Sequence, residues 1–116
     1  MKICYKTKKL EKECTDLSKA KKTYGEKVSE KLFATIEFIQ NAVNLQDIIE
    51  NPSFHFHKLL GKRKGEYAID LGRKLGFRLI IIPLDTIGNQ YNKPINTNNA
   101  IEIVSISVEE VSNHYE

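Results

Sequence analysis

Cysteine is scarce in this chain: Cys4 and Cys14 are the only two in 116 residues. Neither has a second Cys or a His at metal-ligand spacing, which removes the common zinc motifs from consideration. Two reduced thiols acting as small hydrophobes are the simpler reading, because a disulfide needs an oxidising compartment. Long apolar runs are also missing. The longest, residues 79–82, is far short of the roughly 20 residues that span a bilayer. At the start, Met1-Lys2-Ile3-Cys4-Tyr5-Lys6 is broken by charge before a signal-peptide core forms. The expectation is a protein that stays in a reducing cytoplasm, with no membrane partner. There is no internal repeat and no Gly-rich phosphate loop of the Walker or dinucleotide type.

What is present fits one domain over residues 1–116, with a core of ordinary size: 41% of residues are apolar and 28% charged. The net charge of +3 conceals a gradient. Residues 1–50 hold ten Lys against eight acids, residues 55–78 seven cations against two acids, and residues 79–116 one Lys against five acids. A positive field focused on the middle favours an anionic partner through steering and counterion release. Charge alone also leaves open a solvated basic face that binds nothing.

Hydrophobic spacing divides the chain into elements. Lys2 to Lys6 alternates and predicts a short edge strand. Leu10, Cys14, Leu17, Ala20 and Tyr24 recur at helical spacing, Gly25 breaks the pattern, and Val28, Leu32, Ile36, Ile39 and Val43 form a second stripe. The two helices are expected to make an antiparallel hairpin. Phe33 and Phe38 lie off the stripe and widen the apolar surface toward the sheet or another protein. Asn44 closes the second helix, residues 47–50 add a short turn, and Asn51-Pro52 stops it. Phe54-His55-Phe56-His57 alternates, so an extended segment packs both phenylalanines and turns both imidazoles to solvent.

Leu60-Gly61-Lys62-Arg63-Lys64-Gly65 reads as a cationic loop between two glycines. It feeds a strand in which Tyr67, Ile69 and Leu71 alternate with Glu66, Ala68 and Asp70. Residues 72–76 predict a turn carrying Arg73 and Lys74, and residues 77–84 a central strand covered on both faces, ended by Pro83. Residues 85–99 are turn-rich and without periodicity. Residues 101–106 resume a strand, and Ser107 with Glu110 matches a capping box for a short C-terminal helix over residues 108–113. The sum is an α+β fold, with the helical hairpin on one face of a small antiparallel-rich sheet.

The run His57-Lys58-Leu59-Leu60-Gly61-Lys62-Arg63-Lys64-Gly65-Glu66-Tyr67-Ala68-Ile69, followed by Phe77-Arg78-Leu79, resembles the HigB-type killer proteins of the RelE/ParE superfamily. These are toxins of type II toxin-antitoxin pairs. They carry His-x-Leu-x-Gly-x-Arg-x-Gly-x-aromatic-Ala-Ile and then an aromatic-Arg pair opening the next strand. Tyr24-Gly25-Glu26-Lys27 and Leu45-Gln46-Asp47-Ile48 also look like that family's hairpin turn and helix end, so the likeness covers roughly residues 10–84. It implies a concave sheet face and basic loops that hold nucleic acid. It also implies helices that hold a cognate antitoxin in a hetero-oligomer, and metal-independent cleavage of mRNA on the ribosome with no cofactor.

Such cleavage needs a base for the ribose 2′-OH, cations for the phosphorane oxygens and an acid for the leaving 5′-oxygen. The match places His57 as acid or base and Arg78 as phosphate stabiliser. Two exposed imidazoles beside Lys58, Lys62 and Arg63 suit proton transfer on their own account, although a lone surface His is commonly without function. Lys58, Lys62, Arg63 and Lys64 would position the RNA backbone, with Arg73 a lesser candidate in its turn. The departure comes at the end. Family members place an Asp-Tyr-His cluster at or after the last strand, whereas this chain reads Ser105-Ile106-Ser107 and offers His114 and Tyr115 only later. That pair either substitutes for the cluster or is a tail. The departure keeps a second reading open, a non-enzymatic binder such as a ParE-like topoisomerase inhibitor, and a third, a basic RNA-binding domain without toxicity.

Overall fold

The computed structural model describes residues 1–113, and of Arg73 the backbone alone. Its architecture is α+β, with five α-helices and a mixed five-stranded sheet. The first strand, β1 (Lys2–Tyr5), leads into α1 (Lys8–Thr15), α2 (Leu17–Tyr24) and α3 (Glu26–Asn41). The single helix expected over residues 10–24 is thus two. Asp16 is the reason: it is extended (φ −115°, ψ 106°), and its carboxylate accepts a hydrogen bond from the Lys19 backbone N–H (3.3 Å), so it caps a new helix instead of continuing the old one. Leu17 consequently stands exposed rather than on a buried stripe. Val28, Leu32, Ile36 and Ile39 of α3 are buried as their spacing predicts, but the helix ends at Asn41 and leaves Val43 at the surface. Asn44 caps α4 (Leu45–Ile49) instead of closing α3.

The remaining strands are β2 (His57–Lys58), β3 (Tyr67–Asp70), β4 (Phe77–Pro83) and β5 (Ser105–Asn113), in the order β1-β5-β4-β3-β2. β1 lies at an edge, parallel to β5, and the other three pairings are antiparallel. The third-placed β4 has Leu79, Ile80 and Ile81 fully buried, as an unbroken aliphatic run requires. Ile69, Leu71, Leu79, Ile81, Ile106 and Val108 join Leu10, Cys14, Leu32, Ile36 and Ile39 of the helices in one core. The helices therefore cover one face of the sheet. By alternation and register, the opposite face carries His57, Ala68, Asp70, Arg78, Ile80, Glu110 and Ser112.

The C-terminal helix expected over residues 108–113 is absent: those residues are strand. Ser107 bonds the Glu109 carboxylate (2.6 Å) instead of capping a helix, Val108 is fully buried, and the segment completes the ladder on β4. A local capping signal is worth about 1 kcal/mol, less than a buried ladder offers. A register shift between Ile80 and Ile81 fits the extra residue into β5. The strand expected over residues 101–106 begins only at Ser105, and the turn-rich segment 85–99 runs into α5 (Thr97–Ala100), capped by Asn96. No helix among the described residues is long and apolar enough to cross a membrane.

Candidate active site

Two of the residues singled out from sequence, His57 and Arg78, line one cleft of about 310 Å³ together with His55, Asp70, Gly72, Gly76 and Phe77. The sheet register explains the convergence. His57 pairs with Ala68, and Asp70 pairs with Arg78, which in turn pairs with Ser112 of β5. Leu71 N–H donates to the Phe77 carbonyl (2.9 Å), so the neighbouring Asp70 and Arg78 form a non-hydrogen-bonded pair, in which side chains stand closest. Gly72 (φ 89°) and Gly76 (φ 74°) make the tight connection that returns the chain from β3 to β4 in this register.

The histidines reach the cleft by a different route from the extended segment that alternation suggests. Asn51 accepts a hydrogen bond from the Ser53 N–H (3.1 Å), Pro52 opens a one-turn 3-10 helix (Pro52–Phe54), and Phe54 is buried with its ring edge-on to Phe38 at 5.0 Å. His55 then turns the chain in the left-handed region (φ 44°, ψ 50°). A non-glycine residue held there costs on the order of 1 kcal/mol and persists only where its surroundings enforce it. Phe56 stacks on Tyr67 (5.0 Å, interplanar angle 8°) and β2 begins at His57. The expected division nevertheless appears: Phe54 and Phe56 pack inward, while the imidazoles lie together with ring centroids 4.8 Å apart.

The polar contacts of the cleft are few and directional. His57 Nδ1 lies 2.7 Å from the His55 carbonyl oxygen. A carbonyl can only accept, so Nδ1 carries the proton and neutral His57 presents an Nε2 lone pair. His55 Nδ1 lies 3.4 Å from Asp70 Oδ2; the His55 side chain is 63% exposed and that of Asp70 13%. Among the described residues Arg78 has no ion-pair partner, and its Nε is enclosed without a hydrogen bond. An unpaired buried donor on a cation is costly, and the same side chain lines the cleft.

Comparison with family models and with curated proteins gives no significant match. The arrangement of side chains therefore carries the argument.

The basic residues do not gather at this cleft as one group. Arg63 is committed: its Nε bonds Glu66 Oε1 (2.8 Å) and its Nη2 bonds Glu110 of β5 across the sheet face. The Glu110 hydrogen bond is the chief reason the guanidinium is pushed above its ordinary range. Lys58 pairs with Tyr67 and so falls on the face opposite His57. With Lys64, Lys93 and Tyr91 it lines a separate groove of about 490 Å³. Lys62 is exposed in a one-turn 3-10 helix (Gly61–Arg63), and the Arg73 backbone belongs to another (Arg73–Leu75). His114 and Tyr115 lie outside the described residues. Tyr67 and Phe77, aromatics suited in principle to base stacking, are already engaged with Phe56 and Tyr24.

Sequence reasoning passed over Asp70 as a site residue and placed Ser112 in a helix. The signal for Asp70 was present: it sits on the polar alternation of its strand, and the short turn at 72–76 folds it directly opposite Arg78. Ser112 had no comparable signal, because its position depends on β5 continuing past Ser107.

Proposed function

We propose that the protein is the toxin of a type II toxin-antitoxin pair, a ribosome-dependent endoribonuclease that cuts mRNA by metal-independent acid-base chemistry. One observation carries this reading: His57, whose Nδ1 is held by the His55 carbonyl, and Arg78, which has no ion-pair partner among the described residues, line the same cleft. His57 takes the proton of a ribose 2′-OH as that oxygen attacks the adjacent phosphorus. Arg78 balances the charge that grows on the phosphorane oxygens, where fixed cations act most strongly. Lys58 and Lys64, in their separate groove, and Lys62 on its exposed turn hold phosphates of the RNA away from the cleft. The motif likeness to HigB-type proteins supplies the biological setting, an antitoxin that restrains the activity and a ribosome that presents the mRNA. The exposed Phe38 and Val43, next to a groove along α3 and α4, offer the antitoxin an apolar footing.

Separate pulse-labelling of protein and DNA synthesis after induction tests the assignment in cells. Protein synthesis is expected to fall first, and the His57→Ala protein to leave it intact. A dominant block in DNA synthesis would instead favour a ParE-like topoisomerase inhibitor.

A further inference from the structure

We infer that His55 is a second catalytic residue of this cleft, the general acid that protonates the leaving 5′-oxygen, and that Asp70 is the positioning residue that orients it. The inference rests on the ribonuclease reading above and names the group that reading lacks. Proton traffic at a phosphodiester needs one group to receive a proton and another to give one. The cleft holds two imidazoles with centroids 4.8 Å apart, and their polar neighbours differentiate them. His57 bonds a carbonyl through Nδ1 and is left with an acceptor at Nε2. His55 Nδ1 lies 3.4 Å from Asp70 Oδ2, within ion-pair range when the ring is protonated. In its protonated form it keeps that donor toward Asp70 and has Nε2–H to give away.

The fold enforces this placement. Asp70, Arg78 and Ser112 form one row across β3, β4 and β5, and the left-handed turn brings His55 Nδ1 within 3.4 Å of the Asp70 carboxylate at the end of that row. His55 holds its place through the left-handed turn between the buried Phe54 and the stacked Phe56. It is mostly exposed while Asp70 beneath it is not, the arrangement of a group that touches substrate above one that does not. The charged and titratable groups described around the cleft are His55, His57, Asp70 and Arg78. In the reaction O2′–P forms and P–O5′ breaks. The 2′ proton passes to His57 Nε2, the His55 Nε2 proton passes to O5′, and the products are a 2′,3′-cyclic phosphate and a 5′-hydroxyl.

The test uses programmed ribosomes carrying mRNA whose cleaved linkage is either natural or a 5′-bridging phosphorothiolate, since a thiolate leaves without being protonated. His55→Asn is the variant, because Asn tolerates the left-handed region, and circular dichroism checks its fold. On the natural linkage His55→Asn is expected to lose about 10²- to 10⁴-fold in single-turnover rate, and on the sulfur linkage to recover to within about tenfold of wild type. His57→Ala is expected to stay slow on both linkages. Asp70→Asn should slow the natural linkage less than His55→Asn does and displace the limb of the pH-rate profile that His55→Asn removes. A His55→Asn protein as fast as wild type, or a slow one not rescued by sulfur, overturns this inference and leaves the ribonuclease reading standing. No cutting by wild type overturns both.

Discussion

Arg78 stands between Asp70 and Ser112 in the sheet register, with its Nε shut away from water. Cross-strand Asp and Arg ordinarily pair; here the carboxylate is turned to His55 instead. Among the described residues the guanidinium has no carboxylate partner, and under the ribonuclease reading its value should appear only when charge develops on a bound phosphate. Arg78→Ala is expected to lower cleavage by about 10²- to 10³-fold, measured as single-turnover rate. Arg78→Lys should restore little of it, because an ammonium lacks the planar fork. A full rescue by Lys would mean that Arg78 contributes charge alone. At this scale the motif and the cationic neighbourhood singled out His57 and Arg78, and the fold brings the two to one cleft. The sequence was poor for His55, whose placement depends on a left-handed turn that no alternation pattern encodes.

At the scale of elements, local signals decided the outcome where they acted on backbone groups that had no competing partner. Asp16 is the clearest case. Its side chain caps α2, and Thr7 caps α1 by accepting from the Leu10 N–H (3.1 Å). Asp16→Ala is expected to cost about 1 kcal/mol, with 0.5–2 as the range for such caps, read as a shift in urea midpoint at unchanged slope. No loss of stability would mean that the break between α1 and α2 is set by packing alone. β4 was legible because four adjacent aliphatics permit little except a central strand. β5 was not, since Ser107 and Glu110 satisfy a capping box equally well on paper. What overrules the box is long-range: β4 needs a partner between itself and β1, and a local pattern contains no record of that.

Over the whole molecule, charge and burial make separate, checkable statements. The excess of cations in residues 55–78 is distributed over two faces, with Arg63 already held by Glu66 and Glu110. Binding of single-stranded RNA, followed at increasing salt, should therefore lose about 0.7 from its log–log slope for each of Lys58, Lys62 and Lys64 that contacts a phosphate and is replaced by Ala. Arg63→Ala should change that slope least. An Arg63 effect larger than the three lysines' would mean that RNA displaces both glutamates.

Burial acts on the weak acids of the core. It pushes Cys14 from 9.0 up to about 12, with Glu13 adding to the effect, and Tyr5 from 10.0 up to about 12, with Cys14 and Glu11 adding. Tyr24 is raised too, by burial first and then by its hydrogen bond to Glu13 (2.8 Å). These groups stay protonated in the folded chain after the unfolded chain has lost its protons. Their contribution to stability is thus intact below about pH 9 and is lost as pH rises through about 12. The urea midpoint should fall across that window, and a level or rising midpoint would contradict the burial of Cys14 and the partial burial of Tyr5 and Tyr24.

The most direct test of the central claim is to map mRNA 5′ ends after adding purified protein to programmed ribosomes, with naked mRNA as control. Cuts within the reading frame that need the ribosome and vanish with His57→Ala are the expected result. Intact mRNA in the presence of folded wild-type protein would contradict the account and leave the cleft as a docking site for some other anion.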